Sequence, residues 1–133
     1  MKIIFDNNVL ISASLLEKSI PYEAFRLAVA EFILLSSKET FKELFLTLTK
    51  EKFDRYVDIK TRLEFLNEFK EKSRITSVSH KLAICRDPKD NMYLELALSG
   101  NADLIISGDN DLLVLNPFRG IPVITPREFI DNY

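Results

Sequence analysis

Continuous apolar runs too short to be helices recur along this chain, and each gives way to a polar residue and then to apolar residues at helical spacing. Lys2-Ile3-Ile4-Phe5 is the first such run, Phe32-Ile33-Leu34-Leu35 the second, and Leu104-Ile105-Ile106 a later one. Runs without polar alternation become strands of a parallel sheet buried on both faces, since a face meeting water would alternate. Arg74 to Ser79 and Ile121-Pro122-Val123-Ile124 add two further strands, and Pro122, which cannot donate to a ladder, marks the last as an edge strand. Strands alternating with helices from end to end predict a three-layer α/β/α sandwich. Its central parallel sheet has four to five strands joined by right-handed crossovers, in a Rossmann-like single domain over residues 1–133.

The helical segments carry their own signals. Val9 to Leu16 starts a helix, and Pro21 opens another whose Ala24, Leu27, Ala28 and Glu31 share a face. Ser36-Ser37-Lys38-Glu39 has the form of a capping box, the Ser36 hydroxyl meeting the amide of Glu39. The helix after it has a stripe of Phe41, Leu44, Phe45 and Leu48, which sets Glu43 at the flank of the buried face. Lys52 to Lys72, with no Gly or Pro, predicts one long helix striped by Tyr56, Ile59, Leu63, Leu66 and Phe69. Asp87-Pro88 starts a helix that Gly100 stops, with Asp90 stacked on Tyr93, Leu94 and Ala97. Thr125-Pro126-Arg127-Glu128 caps a terminal helix.

The junctions hold the chemistry. Parallel strands end at one edge, where ligands of open α/β sheets bind, so Asp6 after the first strand and Asp109 after Leu104-Ile105-Ile106 are expected there together. Asp90 enters that edge from the first turn of its helix, and Glu43 reaches it from the side. Carboxylates repel and do not gather without a cation; a few hard oxygen ligands suit one or two Mg²⁺ or Mn²⁺ ions. The chemistry expected of such a site is metal-dependent hydrolysis of a phosphodiester. Asn8 and Ser107 are polar groups placed to orient the carboxylates or water. Asp87 caps the turn at Pro88 beside them, and Asp111 has two readings, a ligand at the rim or a cap of the turn before Leu112. His80 has no nucleophile at a recognisable spacing, and Cys85 reads as a packed structural thiol.

Composition limits the alternatives. With 47% hydrophobic and 29% charged residues the chain has the make-up of an ordinary globule, and its one cysteine excludes an internal disulfide. One His and one Cys rule out a structural zinc site. No secretory leader and no apolar run of about 18 residues is present, so a cytoplasmic location away from membranes is expected. A net charge of −2 gives no general pull toward nucleic acid. Phosphates would have to be held by local cations, and Arg86, Lys89 and Arg119 adjoin the acid-bearing loops.

Four segments together resemble the PIN domain family. Asp6-Asn7-Asn8-Val9 resembles the family's Asp-Thr-Asn-Val opening, Glu43-Leu44 its helical acid, and Asp87-Pro88-Lys89-Asp90 its paired acids. Ser107-Gly108-Asp109-Asn110-Asp111 resembles its late Ser/Thr-Gly-Asp-x-Asp segment. Asn7 departs from the pattern, standing where the family most often has Thr or Ser. Pro117 to Phe129 resembles the toxin components of prokaryotic toxin–antitoxin pairs. The resemblance implies a metal-dependent endoribonuclease acting on single-stranded RNA, commonly dimeric and restrained by a small antitoxin protein. Two other classes compete: a phosphoacceptor receiver domain, which would need two adjacent acids after the first strand, and a non-catalytic interaction module, which would leave Phe65 and Phe69 exposed.

Overall fold

The structure is a computed structural model that describes residues 1–133. Its sheet has five parallel strands: β1 (Lys2–Phe5), β2 (Ile33–Ser36), β3 (Ser73–Ile75), β4 (Leu104–Ile106) and β5 (Val123–Ile124). Their spatial order is β3-β2-β1-β4-β5, with Ile4 opposite Ile105 and Ile3 opposite Leu34 in the central ladders. Successive strand residues face opposite ways, as the pleat requires. Ile3, Phe5, Leu34, Leu104 and Ile106 enter one core cluster, while Ile4, Leu35, Ile105 and Val123 enter the other. The first is covered by α1 (Asn7–Leu15), α2 (Ile20–Glu31), α3 (Lys38–Leu48), α4 (Ile59–Lys72) and α7 (Pro126–Asn132). The second is covered by α5 (Asn91–Gly100) and α6 (Asn110–Leu113), with Val78, Leu82 and Cys85 from an irregular segment packed beside them. The expected α/β/α layering is therefore present, and β5 is the edge strand that Pro122 marked.

Several local expectations are corrected. The capping box of α3 is made by Ser37 and Thr40, not by Ser36 and Glu39. Ser36 still belongs to β2 and its hydroxyl meets that of Ser73 at 3.0 Å across the ladder to β3. Lys52 to Lys72 is not one helix: a 3₁₀ turn at Glu51–Phe53 is followed by a new start, where Asp58 accepts the Thr61 amide at 2.8 Å. The buried face of α4 is consequently Arg62, Phe65, Leu66 and Phe69, while Tyr56, Ile59 and Leu63 are exposed. The third strand ends at Ile75, well short of Ser79. Gly100 is the last residue of α5 rather than its stop; the left-handed residue that ends the helix is Asn101, at φ 53°. Gly100 is small for a packing reason, since a Cβ there would stand 2.8 Å from Leu35 Cδ1.

The break between α3 and α4 is held by Arg62, whose side chain is fully buried. Its guanidinium donates to the carbonyls of Leu48 at 2.7 Å, Lys50 at 3.0 Å and Val57 at 3.1 Å, and pairs with Asp54. One side chain thus satisfies carbonyls that the end of α3 and the following turn would leave orphaned. Replacing Arg62 by Ala should cost about 3 kcal/mol in a denaturant titration, because buried acceptors lose their donor and a cavity opens. A loss below about 0.5 kcal/mol, the range of ordinary surface changes, would show that the fork is not what holds this corner.

Candidate functional site

The junctions after β1 and β4 and the start of α5 bring carboxylates to the edge where the strands end. Asp6, only 2% exposed, caps α1 through Oδ1, which accepts the Asn8 amide at 3.1 Å. Its Oδ2 accepts the Ser107 hydroxyl at 2.8 Å, and the same hydroxyl oxygen accepts the Asp109 amide at 2.9 Å. A single buried serine therefore ties the acid after β1 to the acid after β4. Asp109 repeats the capping pattern on α6, accepting the Asp111 amide at 2.9 Å. Asp87 accepts the Lys89 amide at 3.0 Å and so folds the 3₁₀ turn Pro88–Asp90 from which Asp90 projects.

Asp90, Asp109 and Asp111 each offer an oxygen within 4.8 Å of the others. Oδ2 of Asp90 is buried and has no hydrogen-bond partner. No protein donor reaches it, so its partner has to come from outside the chain's own donors, as a proton, a water or a cation. Asp111 meets Arg86, whose Nε and Nη2 donate to its two oxygens at 3.0 and 3.2 Å. Asp6 and Glu43 stand beside this group, lining a narrow cleft of about 160 Å³ with Asn8, Asp87, Lys89 and Asp90. A wider groove of about 890 Å³ shares Asn8 with this cleft and is bounded further by Ser12, Arg86, Asp109, Asp111 and Arg127.

The electrostatics follow from this crowding. Burial pushes the Asp90 carboxyl up to about 7, helped by proton sharing with Asp109 and by the negative charge of Asp109, Asp6 and Asp87. Burial also raises Asp6, with repulsion from Asp109 adding to it; the Asn8 amide and Ser107 hydroxyl oppose the shift. The Cys85 thiol is pushed up to about 11, first by burial and then by the nearby acids, so it stays protonated and is no nucleophile.

A family model described as PIN domain matches residues 2–111. The chain belongs to the PIN domain family. The uncharacterized protein MJ1680 of Methanocaldococcus jannaschii is 32% identical over 143 aligned positions, which cover 100% of this chain and 92% of that protein. The crystal structure of VapBC2 from Rickettsia felis bound to a DNA fragment from their promoter shares the fold. That likeness has a TM-score of 0.59 at 16% identity and covers 94% of this chain and 97% of the other.

Within this PIN domain the departure at Asn7 has a structural reason. Asn7 is 5% exposed, and its Nδ2 donates to the Thr40 carbonyl at 3.0 Å while its amide donates to the Tyr93 hydroxyl at 3.1 Å. It fastens the end of β1 to the first turn of α3, the helix that carries Glu43. Arg119 lies in a two-residue turn between Phe118 and Ile121, at φ 48° with Gly120 at φ 82°, and borders neither cleft. This turn precedes β5, whereas the carboxylates follow the strands. Arg127, which follows β5, does line the wide groove, although the sequence reading assigned it only to a helix cap. The signal was available: the first turn after a parallel strand lies at the acid-bearing edge.

The sign of the pH dependence is fixed by the Asp90 shift. The folded chain holds this proton more tightly than the unfolded one, so folding stability should fall as pH rises from about 4 toward 7. One proton allows a slope of at most about 1.4 kcal/mol per pH unit. In melts run with chelator, Asp90→Asn should flatten that fall. Superimposable pH profiles for the two proteins would mean that Asp90 is not the strained acid.

Proposed function

We propose that this chain is a metal-dependent endoribonuclease that hydrolyses phosphodiester bonds of single-stranded RNA. On this reading residues 1–133 form one nuclease domain acting in the cytoplasm. The observation that carries the reading is the approach of carboxylate oxygens of Asp90, Asp109 and Asp111 to within 4.8 Å of one another, in a group where Asp90 also has a buried oxygen without a partner. Hard oxygen donors and an orphaned buried carboxylate oxygen fit a small divalent cation. Asp6, Glu43, Asp90, Asp109 and Asp111 are the residues that would hold it. One or two Mg²⁺ or Mn²⁺ ions, when bound, supply Lewis-acid stabilisation of the attacking and leaving oxygens.

The chain's own residues do the rest. Ser107 and the Asn8 amide fix both oxygens of Asp6, so the carboxylate presents one orientation to the site. Asp87, through the Lys89 amide, sets the turn that carries Asp90. Arg86 neutralises Asp111 and stands where an incoming phosphate would compete for its guanidinium. Lys89, lining the narrow cleft, supplies a second positive charge to an acidic edge.

Specific features weigh against the competing classes. Receiver domains have the strand order 2-1-3-4-5, while this sheet runs 3-2-1-4-5. An interaction surface built on Phe65 and Phe69 is unsupported, since both rings are buried against Phe25. Biologically, the resemblance to toxin components, together with the fold shared with VapBC2, supports a toxin role. A small antitoxin protein and a second copy of the chain would be its partners.

The test is cleavage of an unstructured RNA and of a DNA of the same sequence. RNA should be cut with Mn²⁺ or Mg²⁺, faster than the DNA, and not at all in excess chelator; Asp109→Asn should lower the rate by orders of magnitude. Cleavage that persists in chelator, or an undiminished Asp109→Asn rate, would overturn the reading. Mn²⁺ should also raise the native melting temperature by mass action on the folded state, and that of Asp109→Asn much less.

A further inference from the structure

Two cations at this edge stand outside any ion pair, Lys89 in the narrow cleft and Arg127 in the wide groove. The ion pairs of the chain are Arg26–Glu68, Arg62–Asp54 and Arg86–Asp111, so Arg127 has none. Its place is dictated by the sequence: Ile124 ends β5, the Thr125 hydroxyl accepts the Glu128 amide at 3.1 Å, and Pro126 presets the first turn of α7. The same capping box turns Glu128 back, its Oε1 accepting the Thr125 amide at 3.1 Å, which leaves the adjacent arginine uncompensated.

The groove that Arg127 lines runs from Asp109 and Asp111 past Asn8, Ser12 and Arg86, and holds about 890 Å³. No aromatic residue lines it, so it offers no platform on which bases stack, while Arg86, Asp109, Asp111 and Arg127 set charged groups along it. It suits a hydrated, charged backbone. A polynucleotide crossing the carboxylates must place its next phosphate close to them, where repulsion is offset only by a cation. Arg86 is already held by Asp111, whereas the planar fork of Arg127 is available for bidentate contact with phosphate.

We infer that this groove seats the phosphate of the nucleotide adjoining the scissile one, and that Arg127 receives it. The inference rests on the proposed reading of RNA as the ligand of this edge, but not on its hydrolysis. The test is fluorescence anisotropy of a short labelled single-stranded RNA, titrated in chelator at several salt concentrations with the native chain, Arg127→Ala and Arg127→Lys. Losing one phosphate contact should make the log–log salt slope of Arg127→Ala shallower by about 0.7 and weaken binding. Arg127→Lys should recover the slope, because the charge is kept. Identical slopes and affinities for the native chain and Arg127→Ala would overturn the inference, and so would a native chain that binds no RNA. Native binding that depends on Arg127, in a chain that cuts no RNA with Mn²⁺, would sink the nuclease reading and leave this groove assignment standing.

Discussion

Five strands running in one direction force every strand-to-helix junction to the same edge of the sheet, and the rest of this molecule is a response to what that edge carries. Asp6 and Asp109 follow neighbouring strands, β1 and β4, whose ladder pairs Phe5 with Ile106. The ladder therefore sets where both junctions begin, and the Ser107 side chain fixes Asp109 relative to Asp6. Two carboxylates so placed, with Asp90 arriving from the 3₁₀ turn that precedes α5, would push the edge apart if nothing opposed them.

What opposes them is a small set of fixed donors. Ser107, wholly buried, gives its proton to Asp6 and its lone pair to the Asp109 amide, so the acids are held by one oxygen instead of being left to repel freely. Asn7 secures α3 to the end of β1 through Thr40, which fixes the helix bearing Glu43 relative to Asp6. Arg86 neutralises Asp111 at the rim. These contacts leave a residue unsatisfied: Asp90, with a buried oxygen lacking a donor and a carboxyl raised to about 7 by burial and by its acidic neighbours. A fold stabilised by two apolar clusters on either side of the sheet can carry that local cost, which on the proposed reading a bound cation would relieve.

The sheet and its acids were legible in the sequence because each rests on a local signal. An apolar run followed by an acid and helical spacing means the same thing at Phe5-Asp6 and at Ile106-Ser107-Gly108-Asp109. What was not legible depended on contacts distant in sequence or on competition between adjacent residues. Ser36 and Ser37 are equivalent cap candidates by pattern, and the ladder to β3 decides in favour of Ser37 by drawing Ser36 into the strand. The segment from Lys52 contains no helix breaker, yet Arg62 captures the carbonyls of Leu48, Lys50 and Val57 and bends the chain there. Charge alone could not separate Arg119 from Arg127; only their positions before and after β5 do so.

The central claim is that the Asp90, Asp109 and Asp111 group is a cation site held partly protonated until the cation arrives. Titration calorimetry of Mn²⁺ into the chain, repeated at pH 7 in buffers of different ionisation enthalpy, measures it directly. With Asp90 raised to about 7, binding should release roughly half a proton per chain at pH 7 and progressively less as the pH is raised. Binding with no proton release at pH 7, or no binding at all, would contradict the account.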